Sequence, residues 1–417
     1  MAAGERREVE IASIAAGGDG VARADGLVVF VPRSAPGDRA VVQLTSAGRF
    51  ARGALEQLTT PSPARVVPPC AHYTSDRCGG CQLQHLGYAA QLAAKQGIVR
   101  DAVTRIARRD TELAPIEPSP DEWRYRRKLT LAMRWVGDRW IAGLHPYDDP
   151  VSVFELVDCP ITDGAVVAAW RDVLAHAVLL PRARALRGAI RMTDDGGAFA
   201  VEGGRQWDRA ARLLDAVPSL AAVWWTPERG VRRLVADRRG PADNGRRAAS
   251  ASFAQVNARM AERLHAYVVA RATAHAPRTV VDAYAGVGAT ALALARAGAR
   301  VTAIELDRDA VRVAERALPV GSRALCGRTE ELLPSVMPAD VVLLNPPRGG
   351  LEAEVTGALE AAVPRPRAVI YVSCNAATLS RDLARLPSYA IHSLRLFDMF
   401  PQTAHVETVC ELVPEAA

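Results

Sequence analysis

Residues 371–383 read YVSCNAATLSRDL. The apolar run AVIYV predicts a buried strand and the residues after it a helix, so Cys374 falls at the strand's carboxyl end. A helix amino terminus beside a thiol favours thiolate, which makes Cys374 a candidate nucleophile. Downstream, FDMFPQTAHVETV brings His405 and Glu407 back after the sheet reverses. A carboxylate near a thiolate is a credible general base. A second group of cysteines, Cys70, Cys78 and Cys81, lies in CAHYTSDRCGGC. The C-G-G-C turn bends tightly enough for two sulfurs to reach one site, and Cys159 in LVDCP is a fourth candidate ligand. Four thiolates fit zinc or an iron–sulfur cluster, and spacing does not choose between them. Cys326 and Cys410 fall in apolar strands and read as core cysteines.

These residues need elements to hold them. From about residue 278 strands and helices alternate, which predicts an α/β fold with a parallel sheet covered on both faces. DAYAGVGAT (282–290) joins a strand to a helix through Gly286 and Gly288. It lacks the full dinucleotide spacing and a phosphate-loop lysine. The next strand ends in AIELD, which puts Glu305 where an acid can accept both ribose hydroxyls. A D-x-x-x-G-x-G turn followed one strand later by an acid resembles the class I S-adenosylmethionine methyltransferases. NPPR (345–348) would fix a polar side chain, that of Asn345, over the same sheet edge. Enzymes that methylate amino nitrogens carry a similar motif followed by an aromatic. Arg348 stands there instead, which argues against an exocyclic-amine target.

The length of 417 residues predicts two or three domains. Residues 5–60 hold the short strands EVEIASI, GLVVFVP, RAVVQL and ARGALEQL, spaced as in a small OB-like barrel. TTPSPARVVPP (59–69) marks a linker. The expected division is a barrel over 1–62, a mixed α+β central domain over 63–250, and the methyltransferase sheet over 251–417. Net charge is +6, and DEWRYRRKLTLAMRW (121–135) mixes five cations with three aromatics, a pattern that suits RNA phosphates and bases. RRLVADRRGPADNGRR (232–247) reads as a linker or exposed loop. No apolar run reaches a membrane span, and the charged start MAAGERREVE is unlike a signal peptide. A cytoplasmic protein with reduced thiols is expected.

In family order, CGGCQLQH, SFAQVN (252–257), DAYAGVG, AIELD, NPPR, SCNAATLSRDL and LFDMFPQTAHVE resemble the RNA uracil-C5 methyltransferases over nearly the whole chain. The N-terminal barrel resembles a TRAM domain, and the cysteine segment resembles that of the ribosomal RNA branch. The resemblance implies that Gln255, Tyr284, Glu305 and Asn345 contact S-adenosylmethionine. It makes Cys374 the nucleophile and Glu407 the base, and gives Cys70, Cys78, Cys81 and Cys159 a [4Fe–4S] cluster. It implies RNA as partner, 23S ribosomal RNA first and transfer RNA as the alternative, and a monomer with no obligate protein partner. Two departures stand out: many members have aspartate at the position of Asn345, and Ala254 replaces an aromatic before Gln255. The competing functions are an amino-nitrogen methyltransferase, which does not need Cys374, and a non-catalytic RNA-binding assembly factor.

Overall fold

The computed structural model of the chain describes residues 4–238 and 255–415. The described residues form a closed five-stranded barrel and two seven-stranded sheets. The barrel strands are β1 (Arg6–Ile14), β2 (Gly20–Ala24), β3 (Leu27–Val31), β4 (Arg39–Ala47) and β5 (Ala51–Thr60). Alternation sets their inner faces: Val9, Ile11, Val29, Val31, Val42 and Leu44 fill the barrel. β2 is a strand that the four-strand expectation lacked. Its GVARA carries one bulky apolar residue, too few to show a period.

The central sheet runs β12-β11-β10-β9-β6-β7-β8. Its strands are β6 (Lys128–Val136), β7 (Arg139–Leu144), β8 (Phe154–Glu155), β9 (Ala185–Thr193), β10 (Gly196–Glu202), β11 (Leu220–Thr226) and β12 (Arg233–Asp237). Leu129, Leu131 and Met133 of β6 turn to a core shared with Trp170, Phe199 and Trp225. Trp170 belongs to helix α3 (Gly164–Ala175), which lies between the single turn α1 (Ala71–Thr74), helix α2 (Tyr88–Ala102) and helix α4 (Ala210–Ala216) in numbering. The segment expected to be a linker at 232–247 begins as strand β12, and the rest of it from 239 lies outside the described residues.

The C-terminal sheet runs β15-β14-β13-β16-β17-β19-β18. It comprises β13 (Thr279–Ala283), β14 (Arg300–Glu305), β15 (Arg323–Cys326), β16 (Val341–Leu344), β17 (Ala368–Ser373), β18 (Tyr389–Phe397) and β19 (Glu407–Pro414). β13 to β17 are parallel, and β19 pairs antiparallel with both β17 and β18. β16 and β17 are buried at every position, as strands covered on both faces must be. The covering helices are α5 (Ala258–Ala274), α6 (Ala289–Arg296), α7 (Arg308–Ala317), α8 (Thr329–Val336), α9 (Ala353–Ala361) and α10 (Ala376–Leu383). Cys410 is fully buried, as expected, but Cys326 is exposed because it is the last residue of the outermost strand.

One long-range feature positions the site. Leu83, Leu86, Ile98, Val99 and Val103, from α2 and the residues on either side of it, pack into the core of the C-terminal sheet. Arg109 then donates to the carbonyls of Tyr389 (2.6 Å) and Leu383 (2.9 Å). No helix among the described residues is long and apolar enough to cross a membrane.

Candidate active site

The carboxyl ends of β13, β14, β16 and β17 form one edge. β13 ends in Ala283, after which Tyr284 and Gly286 take left-handed φ values of 61° and 57°. Gly288, at φ 79°, caps α6; a Cβ there would lie 2.8 Å from that of Ala314, so glycine lets α6 and α7 close up. A Cβ on Gly286 would meet nothing within 4 Å, leaving open space above the turn. Glu305 ends β14, and its two carboxylate oxygens accept from the backbone N–H of Gly286 and of Asp307, each at 2.8 Å. Both oxygens keep lone pairs for a ligand's hydroxyls. Asn345 follows β16, is exposed, and its N–H donates to the Ala283 carbonyl at 3.3 Å. Tyr284, Glu305 and Asn345 are thus brought to one edge. Gln255 is half-buried where the central sheet meets this domain, next to Val256, whose carbonyl accepts from Arg127 N–H at 2.9 Å. The Phe253–Ala254 pair ahead of it lies outside the described residues.

Cys374 stands between β17 and α10 and is half-buried. Asn375 caps α10, accepting from the N–H of Ala377 at 3.0 Å. Ser373 pairs with Thr408, the neighbour of Glu407, so strand register alone puts the thiol and the carboxyl side by side. Glu407 is 3% exposed and its Oε2 has no hydrogen-bond partner. Burial raises its pKa from 4.5 to about 7, with the Arg348 charge opposing the rise. The Cys374 thiol is also pushed up, first by burial and then by Glu407, while Arg348 pulls it down. The expectation of a lowered thiol is therefore corrected. A helix amino terminus contributes a partial charge, and desolvation with a neighbouring carboxylate outweighs it.

Arg348 is the residue that sequence reasoning missed. It was weighed only as a missing aromatic, yet it is the cation shared by Cys374 and Glu407. Its loop is held from α10: Leu351 N–H donates to Asp382 Oδ2 (2.8 Å), and Arg381 donates to the Gly349 carbonyl (2.9 Å). The loop before Glu407 is clamped from the other side. Lys95 and Asp398, both with fully buried side chains, pair at 2.5 Å, and Lys95 also donates to the Phe400 carbonyl at 3.0 Å. Gln91 and Gln402 exchange two hydrogen bonds of 2.9 Å, and Tyr125 donates to the Pro401 carbonyl at 2.9 Å. Tyr125 and Arg124 of the basic segment are thus structural: Arg124 grips Asp158 at 2.7 and 2.9 Å.

Cys70, Cys78, Cys81 and Cys159 are all buried in the central domain. Burial lifts Cys78 to about 11 and Cys81 to about 12, and the neighbouring thiols add to both. The four sulfurs are therefore within electrostatic reach of one another. Among the described residues no three His, Cys, Asp or Glu side chains are drawn together as ligands of a single metal ion. Arg33 of the barrel donates to the Cys78 carbonyl at 3.0 Å and lies over the Tyr73 ring at 4.0 Å, tying the barrel to this segment.

Residues 330–413, which include Cys374 and Glu407, match the family model described as tRNA (Uracil-5-)-methyltransferase, and residues 2–54 match the TRAM domain. An uncharacterised RNA methyltransferase of Thermosynechococcus vestitus is 32% identical over 97% of both chains. Another, from Gloeobacter violaceus, is 34% identical over 98% of this chain and 96% of its own. Among solved structures, the Pyrococcus abyssi tRNA (uracil-54, C5)-methyltransferase in complex with S-adenosyl-L-homocysteine superposes with a TM-score of 0.70, covering 98% of this chain and 100% of that one at 22% identity, which establishes the shared fold. With full-length relatives above 30% identity and the family model lying on the unit that carries the thiol and the carboxyl, the chain belongs to the RNA uracil-5 methyltransferases and bears an N-terminal TRAM domain.

Proposed function

We propose that the protein transfers a methyl group from S-adenosylmethionine to C5 of a uridine in 23S ribosomal RNA, with Cys374 as nucleophile and Glu407 as base. The observation that carries this reading is the half-buried Cys374 thiol beside the buried Glu407 carboxyl, with Arg348 acting on both. Uracil C5 is too weakly nucleophilic to take a methyl unaided. The Cys374 thiolate adds to C6, and the C5–C6 electron pair moves toward C5 and O4 as an enolate. Arg348 offsets the negative charge that thiolate and carboxylate bring together. S-adenosylmethionine, when bound, supplies the electrophilic methyl that C5 takes. Glu407 then accepts the C5 proton, the C5–C6 double bond re-forms, and Cys374 leaves as thiolate. A base titrating near 7 is matched to that task. Gln255, Tyr284, Glu305 and Asn345 would surround the donor, Glu305 holding the ribose hydroxyls.

Cys70, Cys78, Cys81 and Cys159 would hold a [4Fe–4S] cluster. Four buried thiols that act on one another electrostatically support this, cysteine thiolates being the ligands such a cluster takes. It would brace the central domain and takes no part in the chemistry. The ribosomal reading rests on the resemblance of this cysteine segment to the ribosomal branch. A transfer RNA target is favoured by the name of the archaeal enzyme that shares the fold. Tritium release separates them: each RNA is labelled at uracil C5 and incubated with protein and S-adenosylmethionine. Release from ribosomal RNA alone is expected; release from transfer RNA alone moves the target there.

A further inference from the structure

The central sheet carries a second concave surface. A cavity of about 760 Å³ opens where the loops at 180–182 and 205–209 meet β11 and β12. That volume suits a small ligand or one nucleotide unit. Four arginines line it, Arg182, Arg205, Arg209 and Arg233, against two acids, Asp208 and Glu228. The acids neutralise little. Arg205 meets Glu228 at 3.3 Å with both side chains exposed, and Asp208, 95% exposed, lies 3.9 Å from Arg209.

Two tryptophans complete the wall. Trp225 is buried under the Arg233 guanidinium, which sits 4.6 Å from its ring centre. Trp207, half-buried, meets Trp225 edge-on at 6.2 Å. Both indole N–H groups are already spent, Trp207 on the Leu179 carbonyl (2.7 Å) and Trp225 on that of Gly203 (2.8 Å). What remains for a ligand is aromatic surface and guanidinium donors. That combination suits phosphate and an unstacked base without reading the base's identity.

The cavity lies on one face of the sheet at its β12 edge, and a second arginine–tryptophan pair lies on the other face. Trp224 and Trp225 are consecutive on β11 and face opposite sides of the sheet. Arg232 lies over Trp224 at 4.9 Å, as Arg233 does over Trp225. The Trp224 side also carries Lys128 and Arg191, paired across β6 and β9. Burial lowers the Arg232 pKa while Glu202 and Asp307 oppose it, so Arg232 is within electrostatic reach of Asp307 beside the Glu305 edge. β12 is the edge strand of its sheet. The two arginine–tryptophan pairs therefore flank that edge, one on each face, so a single strand crossing the edge would meet both.

We propose that this cavity is a second RNA-contact site, taking a backbone phosphate on its arginines and a neighbouring base against Trp207 in a single-stranded stretch beside the target uridine. The proposal rests on the RNA-methylation reading above.

The test uses the full chain and two probes, a fluorescein-labelled 12-nucleotide oligouridylate and uridine 5′-monophosphate. Arg182→Glu/Arg205→Glu changes two exposed side chains that bear on no core. Arg300→Glu/Arg365→Glu, at the amino ends of the C-terminal strands, makes the same change of net charge elsewhere. The cavity variant should bind the oligonucleotide at least tenfold more weakly than the control. Its plot of log affinity against log salt should be shallower by about 0.7, the share of one phosphate contact on a single strand. KM for RNA should rise with kcat unchanged, and Trp207→Phe should remove most of the tryptophan quenching on binding. Equal affinity and salt slope in the cavity variant and the control overturn the proposal. Uridine monophosphate binding the cavity as tightly as the oligonucleotide also overturns it, in favour of a free nucleotide. An oligonucleotide that binds neither variant nor wild type, with no methylation of any RNA, fails the underlying reading instead.

Discussion

Glu407→Gln should make the protein inactive and, at high pH, more stable. The wild-type carboxyl goes from an ordinary 4.5 to about 7 on burial. Its folded-state pKa lies above the unfolded one, so the folded chain is fully favoured below about 4.5. That advantage is lost as pH rises through about 7, where the buried carboxyl must ionise without a partner for Oε2. At 1.36 kcal/mol for each tenfold change in proton affinity, the loss across the window is about 3 kcal/mol. Glutamine has no charge to bury, so the variant escapes it. The assay is thermal unfolding of both proteins from pH 4.5 to 8.5. A fixed offset from seating the amide cancels in the trend of the difference. The variant should gain on the wild type between pH 5 and 8 while showing no turnover at any pH. A difference that stays flat across that range, or runs the other way, would refute the claim that Glu407 is held near neutrality by desolvation.

Arg348→Gln removes a cation that lowers both reacting groups, so alkylation of Cys374 by iodoacetamide should need a higher pH, and kcat should fall on the order of 100-fold. An unchanged alkylation profile would remove Arg348 from the site. Lys95→Met leaves Asp398 buried and uncompensated, which costs about 3–5 kcal/mol. Lys95→Met/Asp398→Asn should recover part of that in denaturant unfolding, and no recovery would mean that the pair does not interact as drawn. In both variants kcat should drop, because the loop that delivers Glu407 loses its anchor.

The parts legible in the sequence are those set by short-range pattern. The β–α alternation after residue 278, the glycine turn at 286–288, Glu305 at the end of β14 and Cys374 at the end of β17 all follow from periods and breakers. What escaped depends on partners far along the chain. Gln91 and Gln402 are 311 positions apart, and nothing in either neighbourhood announces the other. Lys95 looks like any helix-surface lysine, since a period of hydrophobicity does not mark a buried ion pair. The direction of the Cys374 shift also escaped, because the helix terminus is visible in sequence and the depth of burial is not. Arg124 and Tyr125 carry an RNA-like composition, but their partners Asp158 and Pro401 turn them inward.

The central claim is that Cys374 forms a bond to C6 of the target base. RNA carrying 5-fluorouridine tests it most directly, because fluorine at C5 cannot leave as a proton to Glu407 and the adduct persists. After incubation with S-adenosylmethionine and digestion, mass spectrometry should find one methylated fluorouridine nucleotide on the peptide containing Cys374, and none in Cys374→Ala. Turnover of ordinary RNA with no trapped adduct, or an adduct on another residue, would contradict the account.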